Sequence, residues 1–264
     1  MATTKTAVTK ASGKSTAVVS LKDKLKGYAK QAVEVANETG PGGSFVSFKA
    51  GQITVAGAAV AGNKLDVIVV ASTLENAYYG GDYDSDNPQP PLCYAFGDKL
   101  DDMAPHEKSA EPQHSSCKGC PHNEFGSAEK GKGKACKNVV RLALLPGKPL
   151  TEEAVERGDV AYAKLPVTSV KAYSQYVKRL DAAFELPPFA FVTQIATQVD
   201  SKTQFKVTFE DAAMIDDDDI LALIIKRHEA ETETIGFPYP EPREAPPPPA
   251  RGGKKAVAAK TRKY

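Results

Sequence analysis

Leu65-Asp66-Val67-Ile68-Val69-Val70-Ala71-Ser72 is a run of strand length, rich in Val and Ile, and such runs bounded by turn residues read as strands. Two shorter runs precede it, Phe45-Val46-Ser47-Phe48 and Gly51 to Ala59, punctuated by Gly57 and Asn63. The Gly62-Asn63 pair predicts a tight turn between two antiparallel strands. Downstream, Val139 to Leu145 is a strand candidate stopped by Pro146-Gly147, residues 151–158 suit a short helix, and Ala161 to Pro166 suits another strand. Val170, Tyr173, Val177, Leu180 and Phe184 recur at helical spacing, predicting a helix over 170–184 capped by Thr168 or Ser169 and stopped by Pro187-Pro188. Phe189 to Ala196 and Gln204 to Phe209, joined by a polar turn near Asp200-Ser201, close the body as a hairpin. Five or six strands with one internal helix suit a small, partly open barrel in a mainly β, α+β chain.

Around this body, residues 1–20 read as a disordered basic tail, and residues 21–40 as an N-terminal helix with Leu21, Leu25, Tyr28, Ala32 and Ala36 on one face. The barrel domain is expected over 41–216, with an irregular stretch over 75–92 and an insertion over about 86–138. Asp216 to Asp219 precede an apolar helix expected over 217–233, where acids at the start suit the helix dipole. Residues 234–264 form a Pro-rich basic tail that, from Phe237 onward, is expected to run extended and pack no core.

The 264 residues carry a net charge of +1, but the sum hides a distribution. Residues 1–30 carry +6, residues 243–264 carry +6, and the middle carries −11. Basic tails often meet polyanions. No apolar run reaches the length of a membrane span, so no membrane partner is expected. The first residues lack a secretory apolar region, so a reducing, cytoplasmic location is expected. In such a compartment cysteines serve more often as metal ligands or reactive thiols than as disulfides.

All four cysteines lie at 93, 117, 120 and 136. Cys117-Lys-Gly-Cys120 has the spacing of a metal knuckle, and Cys93 and Cys136 can complete an all-sulfur tetrahedral site. Structural zinc is therefore the expected cofactor, with an iron–sulfur cluster as the alternative and His106, His114 or His122 as substitute ligands. The intervening residues are rich in Pro, Gly, Lys and Ser, and a metal would supply their missing fold energy.

Inside this segment Gly126 to Gly133 nearly matches a phosphate-binding loop, but Gly133 stands where the hydroxyl is required and no strand leads in. A flexible basic loop is the better reading, with Lys130, Lys132, Lys134, Lys137 and Arg141 as candidate phosphate contacts. Tyr78, Tyr79, Tyr83, Tyr94, Phe96 and Phe125 sit near these charges as candidate stacking platforms for bases.

The stretches Pro91 to Asp98, Cys117 to Ser127 and Gly131 to Cys136, with the later Ala172-Tyr173 helix and Pro187 to Thr193, resemble phage-encoded single-stranded DNA-binding proteins. The arrangement is also similar to the helix-destabilising proteins of T-even phages. This resemblance implies an OB fold with an inserted zinc subdomain, over roughly 45–215. It also implies a location in the host cytoplasm and a role in replication, recombination or repair. The basic stretch Lys254 to Tyr264 departs from the acidic tails by which such proteins recruit partners.

The expected function is nonenzymatic binding of single-stranded DNA, with RNA as the other candidate strand. The alternative is an adaptor whose zinc module binds a replication, recombination or transcription protein. A metal-dependent nuclease using Asp66, Glu75, Asp82, Asp84 and Asp86 ranks last, because no compact carboxylate motif stands out.

Overall fold

A computed structural model describes residues 44–81 and 89–240. The expected tail over 1–20, the helix over 21–40, Tyr83, Asp82, Asp84, Asp86 and the chain after Pro240 lie outside the described residues.

The first three strands form a ribbon, β1 (Ser44–Lys49), β2 (Gln52–Val55) and β3 (Ala58–Ala59). Tight turns at Ala50-Gly51 and Ala56-Gly57 join them, and all four turn residues have positive φ. The single run expected from Gly51 to Ala59 is therefore two strands broken at Gly57. The expected hairpin at Gly62-Asn63 is absent. There a short 3-10 turn, Ala61–Asn63, leads from β3 into β4 (Lys64–Tyr78), and these two strands do not pair. Asn63 instead uses its side-chain oxygen to accept the Ile53 N–H at 3.1 Å, which fastens the turn to β2.

β4 is 15 residues long and organises everything after it. Its first part pairs with β8 (Phe191–Asp200), its last part with β5 (Cys93–Gly97), and most of its length with β6 (Lys137–Pro146). β7 (Ala161–Lys164) adds antiparallel to β6 and parallel to β1, while β9 (Gln204–Met214) forms a hairpin with β8. The result is one nine-stranded sheet in the order β3-β2-β1-β7-β6-β4-β8-β9, with β5 beside β4. This exceeds the five or six strands expected. The sheet is curled, and Thr197 of β8 donates its hydroxyl hydrogen to the Gly51 carbonyl of the β1–β2 turn.

A register shift between Val69 and Ala71 marks a bulge in β4. A bulge adds one residue and so reverses which parity faces inward. Val67 and Val69 point into the curl before it, Leu74 packs there after it, and Ile68, Val70 and Ala71 face outward. Glu75 consequently shares the outer face with Ala71, which decides its later role.

Three α-helices are present among the described residues, α1 (Glu152–Arg157), α2 (Val167–Phe184) and α3 (Asp218–Thr234). α2 fills the inside of the curl with Tyr173, Tyr176 and Leu180, spaced three and four apart, against Leu142, Val207 and Phe209. It begins at Val167, earlier than the residue types suggest, because Ser169 does not cap it. The Ser169 hydroxyl is fully buried and accepts the Val207 N–H of β9 at 2.9 Å. Ser169→Ala would strand that N–H inside the protein, so a fall in stability of ~1–3 kcal/mol is expected, read as a lower urea midpoint. α3 closes the outer face with Ile220 and Ile224 against Ile68, Val70 and Leu145. Asp217 caps it by accepting the N–H groups of Asp219 and Ile220 at 3.0 and 3.1 Å, in line with the expected role of the acidic run. None of the described helices is long and apolar enough to cross a membrane.

Candidate functional site

β6 and β7 pair Arg141 with Lys164, and β7 and β1 pair Tyr162 with Phe45. Alternation along a strand therefore sets Phe45, Tyr162, Lys164 and Arg141 on the outer face beside Glu75. Glu75 is fully buried, and both its oxygens are used. Arg141 donates through Nε to Oε2 at 2.9 Å, Lys164 reaches Oε1 at 2.5 Å, and Tyr239 donates its hydroxyl hydrogen to the same Oε1. Lys164 also donates to the Tyr239 oxygen at 2.8 Å.

Burial alone would raise the Glu75 pKa, but Lys164 and Arg141 outweigh it and hold the carboxyl below its usual range. Burial likewise works against the Lys164 charge, and Glu75 reverses that, pushing the ammonium above the usual lysine value. The shifts of the two partners agree on a charged pair. The Tyr162 phenol rises to about 12, through burial and then its hydrogen bond to Glu231.

The Arg141 guanidinium lies between two rings, 4.3 Å from the centroids of both Phe96 and Phe237. Its Nη1 donates to the carbonyls of Ile235 and Phe237 at 3.2 and 3.0 Å. Arg141 is thus a buried anchor for the chain after α3, which corrects its reading as a phosphate contact on a flexible loop. The same contacts correct the expectation for residues 237–240. Phe237 packs edge-on to Tyr162 at 4.7 Å and Tyr239 edge-on to Tyr94 at 5.0 Å. Between this segment and β1 and β7 lies a cavity of about 320 Å³.

The remaining candidates divide by exposure. Phe125 is 82% exposed, with the Lys134 ammonium 5.1 Å from its ring centre. Tyr79 is 40% exposed, with Lys164 5.7 Å from its ring centre. Lys130, Lys132 and Lys137 are exposed, and Lys134 is half-buried with its ammonium donating to Asn123 at 3.2 Å. Gly126 and Gly131 have positive φ, and Gly126 and Ala128 donate to the Gly133 carbonyl, so the lysine loop is a closed turn. Tyr94 is buried and stacks on His106 at 5.0 Å, Tyr78 lies against His122 at 4.2 Å, and Phe96 is half-buried under Arg141. These three rings are packed rather than presented.

The four cysteines are reduced and line one small cavity with His114 and His122. Burial first, and the neighbouring thiols second, push Cys136 to about 12. Among the described residues no group of three or more His, Cys, Asp or Glu side chains is placed to hold a metal ion. The expected four-cysteine zinc site, its histidine variant and the iron–sulfur alternative are therefore overturned. The segment has other means of support, contrary to its apparent lack of a core. β5 pairs with β4, Ala95, Met103 and Cys117 pack under Leu74, and Cys117 and Cys136 donate their N–H groups to Met103 and His122.

Of the nuclease carboxylates, Asp66 and Glu75 are described, and these two do not converge. Asp66, near the start of β4, pairs with Lys148 at 2.7 Å and accepts from Gln194 at 3.0 Å, whereas Glu75 is engaged near the strand's other end. Phe45, Tyr162, Lys164, Phe237 and Tyr239 were not singled out by sequence pattern. The alternation of Ala161-Tyr162-Ala163-Lys164 could have flagged two of them on one face. No family model, no curated protein and no solved structure matches this chain.

Proposed function

We propose that this chain is a nonenzymatic single-stranded nucleic-acid-binding protein, with DNA as its principal strand, built on an OB-like barrel. β4, β6 and β7 form a meander, α2 follows, and β8 returns to β4 before turning into β9. This order supports the reading because it resembles the strand order of a five-stranded Greek-key barrel, left open among the described strands where β7 pairs with β1 and not with β9. In OB folds the face of the second and third strands, with the loop between the first and second, holds oligonucleotides. On this reading the corresponding parts would be β6, β7 and the described residues between β4 and β6.

One observation carries the reading. Two exposed rings stand beside cations, Tyr79 next to Lys164 and Phe125 next to Lys134. Rings take base faces and ammonium groups take phosphates, without regard to sequence. Lys130, Lys132 and Lys137, exposed and close in sequence to Lys134, add positive charge at the lysine loop.

A salt series with a labelled single strand of about 16 nucleotides, the upper site size for one OB-type fold, tests this by fluorescence anisotropy. With three to five phosphates neutralised, log affinity should fall against log salt with a slope of about −2 to −3.5. Absence of binding, or affinity indifferent to salt, would refute the proposal.

A further inference from the structure

The cavity on the outer face of β7 is larger than the packing around it needs. At about 320 Å³ it falls at the small end of the range for small-ligand sites, ~300–1,000 Å³. Its walls are rings: Phe45 and Tyr162 from the sheet, and Phe237, Pro238, Tyr239 and Pro240 from the segment after α3. Arg141 and Lys164 against Glu75 leave one net positive charge at its base, and Lys164 is partly open to solvent.

We infer that this cavity is a binding slot for one nucleobase of a single strand, with the Phe237–Pro240 segment supplying one of its walls. The inference rests on the reading that the chain binds single strands, and it assigns where a base is held. Three features select a base over other occupants. Ring walls match a flat aromatic group. The positive base of the slot matches the phosphate that accompanies it. The polar groups that could read a base edge are already engaged: Glu75 through both oxygens, and Tyr162 through Glu231. The slot therefore accepts a base by stacking, with little regard to its identity. The segment's wall is also set before the strand arrives. Arg141 holds the carbonyls of Ile235 and Phe237, and Pro238 and Pro240 fix φ on either side of Tyr239. A wall ordered in advance loses less entropy on binding.

The test uses the full chain and a single strand carrying 5-iodouracil at successive positions, irradiated and mapped by peptide mass spectrometry. Crosslinks are expected on peptides containing Phe45, Tyr162 or Phe237 to Tyr239. Phe45→Ala, at a half-open surface position, should bind an unmodified strand about tenfold more weakly, the loss of one stacking contact. Its salt slope should match the parent's, because no phosphate contact is lost. Crosslinks confined to other segments, with parental affinity in Phe45→Ala, would overturn the slot and leave single-strand binding standing. Tighter binding by Phe237→Ala would also overturn it, since the segment would then compete with the strand. If the parent binds no single strand at all, both readings fall.

Discussion

Glu75→Ala is expected to lower the unfolding free energy by about 3–5 kcal/mol, the usual penalty for removing one partner of a buried ion pair. The size follows from what remains. Arg141 is 5% exposed and would keep its charge between Phe96 and Phe237 with no carboxylate beside it. Lys164 and Tyr239 would lose the oxygen on which both converge. Chemical denaturation should show a lower midpoint with an unchanged slope if only stability is affected. A midpoint equal to the parent's would contradict the buried network.

Acid titration adds a signature of the same group. The Glu75 pKa is held below its usual value in the folded protein. Its stabilisation is therefore full above the ordinary glutamate range and is lost as pH falls through the lowered value. Lys164 has the opposite sign. Its raised pKa gives a contribution present below the ordinary lysine value and lost only as pH rises through the raised one. Between those limits the pair is intact, so the stability difference between parent and Glu75→Ala should be flat near neutrality and shrink in acid.

Phe191→Ala should cost a comparable ~3–5 kcal/mol, by loss of burial and creation of a cavity. Phe191 opens β8 and is 1% exposed inside the curl, with its ring 5.2 Å from Phe184 at the end of α2. It joins the helix that fills the curl to the strand that returns to β4. A loss below about 1 kcal/mol would mean that this joint is looser than the packing indicates.

The body of the fold was legible because its strands are apolar and its turns carry Gly, Asn or Pro. β6, β7, α2, β8 and α3 each announce themselves by period and punctuation. The limit of β4 was not legible. Beyond Ser72 the strand continues through Glu75 and Asn76, both buried, and polar residues there read as irregular chain. Their burial depends on Arg141 and Asn138, 66 and 62 residues away. The bulge in β4 compounds this by reversing the facing parity midway along the strand.

Arg141 misled for a related reason. Sequence shows its charge and its nearness to a lysine run, but not that alternation in β6 turns it toward Glu75. Residues 237–240 misled through their prolines, which suggest a segment that packs against nothing. What attaches it is a guanidinium 94 and 96 residues earlier in the chain. Cysteine spacing gave the sharpest local signal and the wrong chemistry, because it cannot report whether four thiols converge on one ligand point or only face one cavity. The short alternation Cys93-Tyr94-Ala95-Phe96 lies in β5 and is a strand signal of its own beside the cysteine spacing.

Competition between strand types is the most direct test of the proposed single-strand recognition. A labelled single strand held by the full chain is challenged with the same sequence unlabelled, either single or as duplex, in about 200 mM salt to suppress purely ionic contacts. The predicted result is displacement by the single strand near equimolar amounts, with the duplex far less effective because its bases are unavailable for stacking on Tyr79, Phe125 and the walls of the slot. Equal displacement by both forms would contradict it.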